Sequence, residues 1–167
     1  MAGAIIIIMG VSGSGKTSVG EAMADKQQRL FIDGDDLHPQ ANIDKMSQGI
    51  PLADEDREEW LNTIIREAAA IVEKGDKGII TCSALKRRYR NRLRFGIASV
   101  AFVYLKASYP KVLQQLEART GHFMPVSLLK SQFELLEEPD ETEADVITVE
   151  VQESLQATIA FALEKLV

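Results

Sequence analysis

Short apolar runs alternate along this chain with longer stretches of helical period. Residues 4–9, Ala-Ile-Ile-Ile-Ile-Met, are apolar at every position, the pattern of a strand buried on both faces of a parallel sheet. Runs of the same kind occupy 30–33, 78–82, 100–105 and 145–151. Between them, 16–27 predicts a first helix. The longest helical stretch, 54–74, opens on acidic residues and closes at Gly75, with Trp60, Leu61, Ile64, Ile65, Ala68 and Val72 on one stripe. Leu85, Tyr89 and Leu93 give helical spacing to a basic segment, and 110–119 and 125–137 predict a further pair of helices. Leu155, Ile159, Leu163 and Leu166 make a closing one-faced helix. Strand alternating with helix predicts an α/β fold around a parallel sheet.

Length and composition narrow this further. The 167 residues fit one domain, 1–167, with no internal repeat, low-complexity tract or long linker. The most polar stretch, 139–143, reads as a surface loop. A net charge of -6 and a pI near 5.0 argue against nucleic acid as a partner. The one cysteine, Cys82, reads as a small buried hydrophobe and suits a reducing compartment. The apolar run at 4–9 is too short to cross a bilayer and lacks a basic leader, so no membrane association and a cytoplasmic location are expected.

The strongest chemical signal is Gly10-Val11-Ser12-Gly13-Ser14-Gly15-Lys16-Thr17, a full match to the phosphate-binding loop G-x-x-x-x-G-K-[ST]. Glycines at 10, 13 and 15 let backbone N–H groups turn inward around phosphates, and a helix opening near Lys16 adds its positive end. Lys16 is expected at the β- and γ-phosphates of ATP and the Thr17 hydroxyl on Mg²⁺. A glycine-rich surface turn would explain the same string, but strand before and helix after is the context that confirms the motif. Neither N-K-x-D nor D-x-x-G occurs, against a GTPase, and no four apolar residues precede Asp-Glu, against a motor ATPase. A small-molecule kinase is left.

Asp33, Asp35 and Asp36 follow the second strand, where ligands bind in open α/β sheets. Asp33 is suited to order the water shell of Mg²⁺, and Asp35 to accept the acceptor's hydroxyl proton. Asp36 reads equally as a helix N-cap, and His38 as a turn residue or a substrate contact. Arg57, in the first turn of the long helix, is unfavourable to the helix dipole and suited to gripping a carboxylate. Of the basic run at 86–94, Lys86 and Arg90 are expected to face an anionic substrate. Arg119 is the candidate for a transition-state or adenine contact on a closing segment, with an ordinary helix hairpin as the alternative. Trp60 reads as packing, and no metal cluster of histidines and cysteines is present to be assembled.

These segments resemble the gluconate kinases, or gluconokinases. The resemblance rests on G-V-S-G-S-G-K-T at 10–17, D-G-D-D-L-H-P at 33–39, N-I-D-K-M-S-Q-G-I-P-L at 42–52 and D-E-D-R at 54–57. It continues through C-S-A-L-K-R-R-Y-R at 82–90, G-H-F-M-P at 121–125 and L-L-K-S-Q-F-E-L-L-E-E-P at 128–139. One departure is Glu59, where the family pattern tends to proline before Trp60-Leu61. The resemblance implies ATP-dependent phosphorylation of D-gluconate at its terminal hydroxyl and a five-stranded, three-layer P-loop kinase fold. It further implies a helical lid over about 110–139, and often a homodimer. By similarity it puts Asp33 by Mg²⁺, Asp35 by the acceptor hydroxyl and Arg57 on the carboxylate, and it adds Lys45, His122 and Gln132 to the substrate contacts. A kinase of another small acid, or an ATP-binding regulatory module, stands as the alternative.

Overall fold

The computed structural model describes residues 3–117 and 126–166. Its strands are β1 Ile5–Met9, β2 Leu30–Asp33, β3 Gly78–Thr81, β4 Val100–Lys106 and β5 Val146–Glu150. They form one parallel sheet in the order β2-β3-β1-β4-β5. The helices are α1 Lys16–Gln27, α2 Gln40–Ser47, α3 Asp54–Glu73, α4 Arg87–Gly96, α5 Tyr109–Glu117, α6 Val126–Leu135 and α7 Leu155–Leu166, with a 3₁₀ turn at Gly34–Leu37.

The all-apolar β1 lies at the centre because both of its faces are covered. Side chains alternate across a strand, so Ile5, Ile7 and Met9 pack with Trp60, Leu61 and Ile64 of α3 and Leu93 of α4. Ile6 and Ile8 pack on the opposite face with Val19 and Met23 of α1 and Ala162 and Leu166 of α7. A third, smaller cluster joins Val112 and Leu116 of α5 to Leu129 of α6, and it includes Val11 of the glycine loop and Leu85. The carboxyl ends of β1, β2 and β3 therefore open onto a region roofed by the α5–α6 pair.

Three features differ from the sequence expectation. The turn at Gly34–Leu37 and helix α2 are only four and eight residues long and are held by tertiary contacts: Asn42 Nδ2 donates to the Asp56 carbonyl at 2.9 Å, and Lys45 pairs with Asp56 at 2.9 Å. Helix α4 begins at Arg87, because Ala84 adopts φ 46° and breaks the helix that Leu85 suggested. The 139–143 loop is not wholly at the surface, since Glu143 is buried against Arg90. Among the described residues no helix is long and apolar enough to cross a membrane.

Candidate active site

Between β1 and α1 the loop turns through φ 147°, 79° and 100° at Gly10, Gly13 and Gly15, values that L side chains rarely adopt. Gly15 stands at the N-cap of α1 with no side-chain cap, so the first-turn amides remain available to a ligand. The loop is braced from within: the buried Ser14 hydroxyl donates to the Val11 carbonyl at 2.7 Å. Lys16 Nζ folds back to donate to the carbonyls of Gly10 and Val11 at 3.1 and 3.0 Å. Ser12, Gly13, Gly15, Lys16 and Thr17 line a cavity of about 640 Å³. Val11 instead buries its side chain in the small cluster under α5 and α6, so its part in a phosphate site is through its backbone.

The next wall of the cavity is the turn after β2. Asp33 accepts from the Thr17 hydroxyl at 3.1 Å through one oxygen. Through the other it accepts from the Thr81 hydroxyl and the Asp35 amide, both at 3.0 Å. Asp33, rather than Asp36, is therefore the cap of this turn. Gly34 is required here: a Cβ would lie 1.8 Å from the Thr81 carbonyl oxygen. Its carbonyl accepts from Trp60 Nε1 at 2.8 Å, so the buried Trp60 anchors the turn as well as packing. Thr81 is a residue that sequence reasoning missed. Nothing local marks it, because its partners lie 47 and 48 residues away.

His38 and Arg57 also line the cavity. The imidazole stacks on Trp60, centroids 4.1 Å apart. Burial, reinforced by the nearby Arg57 charge, pushes its pKa down to about 4. Asn42 Nδ2 already donates to the Asp56 carbonyl and lies 3.2 Å from His38 Nδ1. Its second hydrogen thus makes Nδ1 an acceptor and leaves the ring proton on Nε2. Arg57 is 6% exposed and lines the cavity, and its Nε has no hydrogen-bond partner among the described residues. The guanidinium lies over the Tyr89 ring, 5.4 Å from its centroid. The Tyr89 hydroxyl donates to Asp54 and holds that carboxyl below its usual range.

Asp35, Asp36, His38, Arg57 and Gln132 thus share one cavity with the phosphate loop. Four residues expected at the substrate are placed differently in the structure. Arg90 is fully buried and directs all its donors inward, to Glu143 and the carbonyls of Ala84, Leu85 and Glu137. Lys86 turns to Asp54 at 3.4 Å and Lys45 to Asp56, and neither lines the cavity. Gln132 meets the phosphate loop: the Ser12 amide donates to its Oε1 at 2.7 Å. Arg119 and His122 lie outside the described residues.

Known proteins resemble this chain over most of its length. A family model described as an AAA domain matches residues 5–139. The chain is 50% identical over 155 residues to the thermosensitive gluconokinase of Escherichia coli, covering 93% of this chain and 83% of that one. It is 42% identical over 160 residues to the thermoresistant gluconokinase of the same organism, covering 96% and 91%. The crystal structure of a gluconokinase from Sinorhizobium meliloti superimposes with a TM-score of 0.83 at 46% identity, over 95% of this chain and 89% of that one. Likeness of this extent, across a fold whose strand ends carry the phosphate loop, makes the chain a member of the gluconokinase family of P-loop kinases.

Proposed function

We propose that this protein transfers the γ-phosphoryl group of ATP to the terminal hydroxyl of D-gluconate, giving 6-phospho-D-gluconate and ADP. The observation that carries the reading is Arg57, a buried guanidinium whose Nε has no hydrogen-bond partner among the described residues, on the wall of the cavity that contains the phosphate loop. Burying a charge without a partner is costly, and a planar fork of donors suits a carboxylate. A sugar acid bound there would extend its other end toward Asp35 and the loop.

Phosphoryl transfer forms a bond from the acceptor oxygen to Pγ and breaks the bond from Pγ to the β–γ bridging oxygen. The hydroxyl proton passes to Asp35, and ADP departs. Catalysis of this kind rests on positioning and charge neutralisation. Lys16, released from the loop carbonyls, supplies positive charge at the β- and γ-phosphates. Thr17 and Asp33 offer hard oxygen donors that fit Mg²⁺, an ion that keeps several waters and neutralises phosphate charge. Asp33 already accepts three hydrogen bonds, which favours contact through water. His38 offers Nε2–H as a neutral donor to a substrate hydroxyl. The one cysteine, Cys82, is a free thiol and suits the reducing cytoplasm, and a homodimer rests on the family resemblance alone.

Replacing Arg57 tests the reading. Arg57→Ala is expected to raise KM for gluconate by about ten- to a hundredfold, the loss of a charge-assisted contact, with KM for ATP unchanged. An unchanged KM for gluconate would remove Arg57 from the acceptor site.

A further inference from the structure

We propose that Gln132 is a catalytic residue of this kinase, whose side-chain amide contacts the transferring γ-phosphoryl group from the α6 side of the cavity. The inference rests on the kinase reading above and goes beyond it, since that reading gives no role to α6.

Helix α6 is registered directly against the phosphate loop. Leu129 packs in one cluster with Val11, the second residue of the loop, and with Leu85, Val112 and Leu116. Phe133 meets Tyr109 of α5 edge-on, with centroids 5.6 Å apart. This packing leaves Leu128, Ser131 and Gln132, spaced three and four residues apart on one helix face, on the cavity wall. Of these, Gln132 reaches the loop itself, with Oε1 2.7 Å from the Ser12 nitrogen.

The chemistry of that contact fixes its orientation. A backbone N–H can only donate, so the atom facing it is the amide oxygen. The Ser12 N–H belongs to the set of loop amides that cradle phosphates. Gln132 Oε1 therefore occupies a position suited to a phosphate oxygen, and does so as a neutral acceptor. A negatively charged phosphoryl oxygen makes the stronger bond to the same N–H and takes it over. The terminal torsion of glutamine is broad and roughly two-fold, so the amide can then turn to offer Nε2–H to the phosphoryl group. A donor fixed there stabilises the charge spread over the transferring oxygens, where preorganised donors contribute most. One side chain thus holds the loop when nucleotide is absent and addresses the terminal phosphate when it is present.

Binding measured by calorimetry in the presence of Mg²⁺ separates this role from packing, with ADP compared against the non-hydrolysable β,γ-imido analogue of ATP. Gln132 is half-buried, so Gln132→Ala and the isosteric Gln132→Glu are both expected to fold, checked by circular dichroism. Gln132→Ala is expected to weaken the analogue by about tenfold, the loss of one hydrogen bond to a charged group, while ADP binding stays within about twofold. Gln132→Glu keeps an acceptor on Ser12, has no donor and repels the phosphate, so it is expected to weaken the analogue further. Analogue and ADP weakened equally, or neither weakened, would overturn the proposal and make Gln132 a packing residue of α6. Failure of the unsubstituted protein to bind the analogue would overturn the kinase reading itself.

Discussion

At His38 stacking, burial and a neighbouring charge act on one titratable ring, and the consequence is a pH dependence of definite sign. In the unfolded chain the imidazole takes up a proton near its ordinary pKa of about 6.5, whereas in the folded chain it resists until about 4. Between those values the unfolded state binds more protons, so stability falls as pH drops through the window and is unaffected above it. His38→Phe keeps a ring against Trp60 and removes the titration. Urea midpoints at neutral pH and near pH 4.5 should therefore fall less for the variant than for the unsubstituted protein, and parallel losses would contradict the assignment. Lys16 gives a second test at this scale. Its ammonium bonds to the carbonyls of its own loop, so Lys16→Ala should abolish turnover while the circular dichroism spectrum is retained. Normal turnover would refute the loop's role. That Lys16, Asp33 and Arg57 line one cavity was legible because each is marked by neighbours within a few positions. Arg90 was not: its partner Glu143 lies 53 residues on, and no local pattern distinguishes an arginine that is paired inward from one that faces a ligand.

The elements owe their arrangement to two kinds of force, and these differed in how far the sequence revealed them. Apolar runs fixed β1 to β5 and the periodic stretches fixed α3 and α7, because burial of a face is written in the spacing of hydrophobic residues. Helix α2 and the turn before it are held instead by polar contacts to α3, through Asn42, Lys45 and Trp60, and such contacts leave no period. The same holds for the junction of α4 with the segment after α6. There Arg90 joins the Ala84, Leu85 and Glu137 carbonyls to Glu143, and Arg94 pairs with both Glu143 and Asp145. Removing one member of a buried pair strands the other. Arg90→Met is expected to destabilise the fold by about 3 kcal/mol, read from urea unfolding, and to spare the affinity for gluconate in whatever fraction stays folded. A loss below about 1 kcal/mol would show that the pair is solvent-screened.

On the scale of the whole molecule, the sheet brings the ends of β1 and β2 together and α3 adds Arg57, so that a phosphate loop, a carboxylate turn and a buried arginine share one cavity of about 640 Å³. Parallel strands make this possible, since every strand then delivers its following loop to the same edge. Cys82 lies at that edge, yet burial pushes its thiol pKa up to about 12. It should therefore resist alkylation at neutral pH, which fits a packing role and no part in the chemistry. On the proposed reading, an acidic acceptor bridges the phosphate loop and Arg57, which line the same cavity. The measurement that tests this most directly is Mg·ATP-dependent ADP release by the unsubstituted protein against D-gluconate, idonate, glycerate, shikimate and AMP. Strong stimulation by gluconate, with 6-phosphogluconate recovered in equal amount, is the expected result. Stimulation by a different acceptor in its place, or ADP release that no acceptor accelerates, would contradict the account.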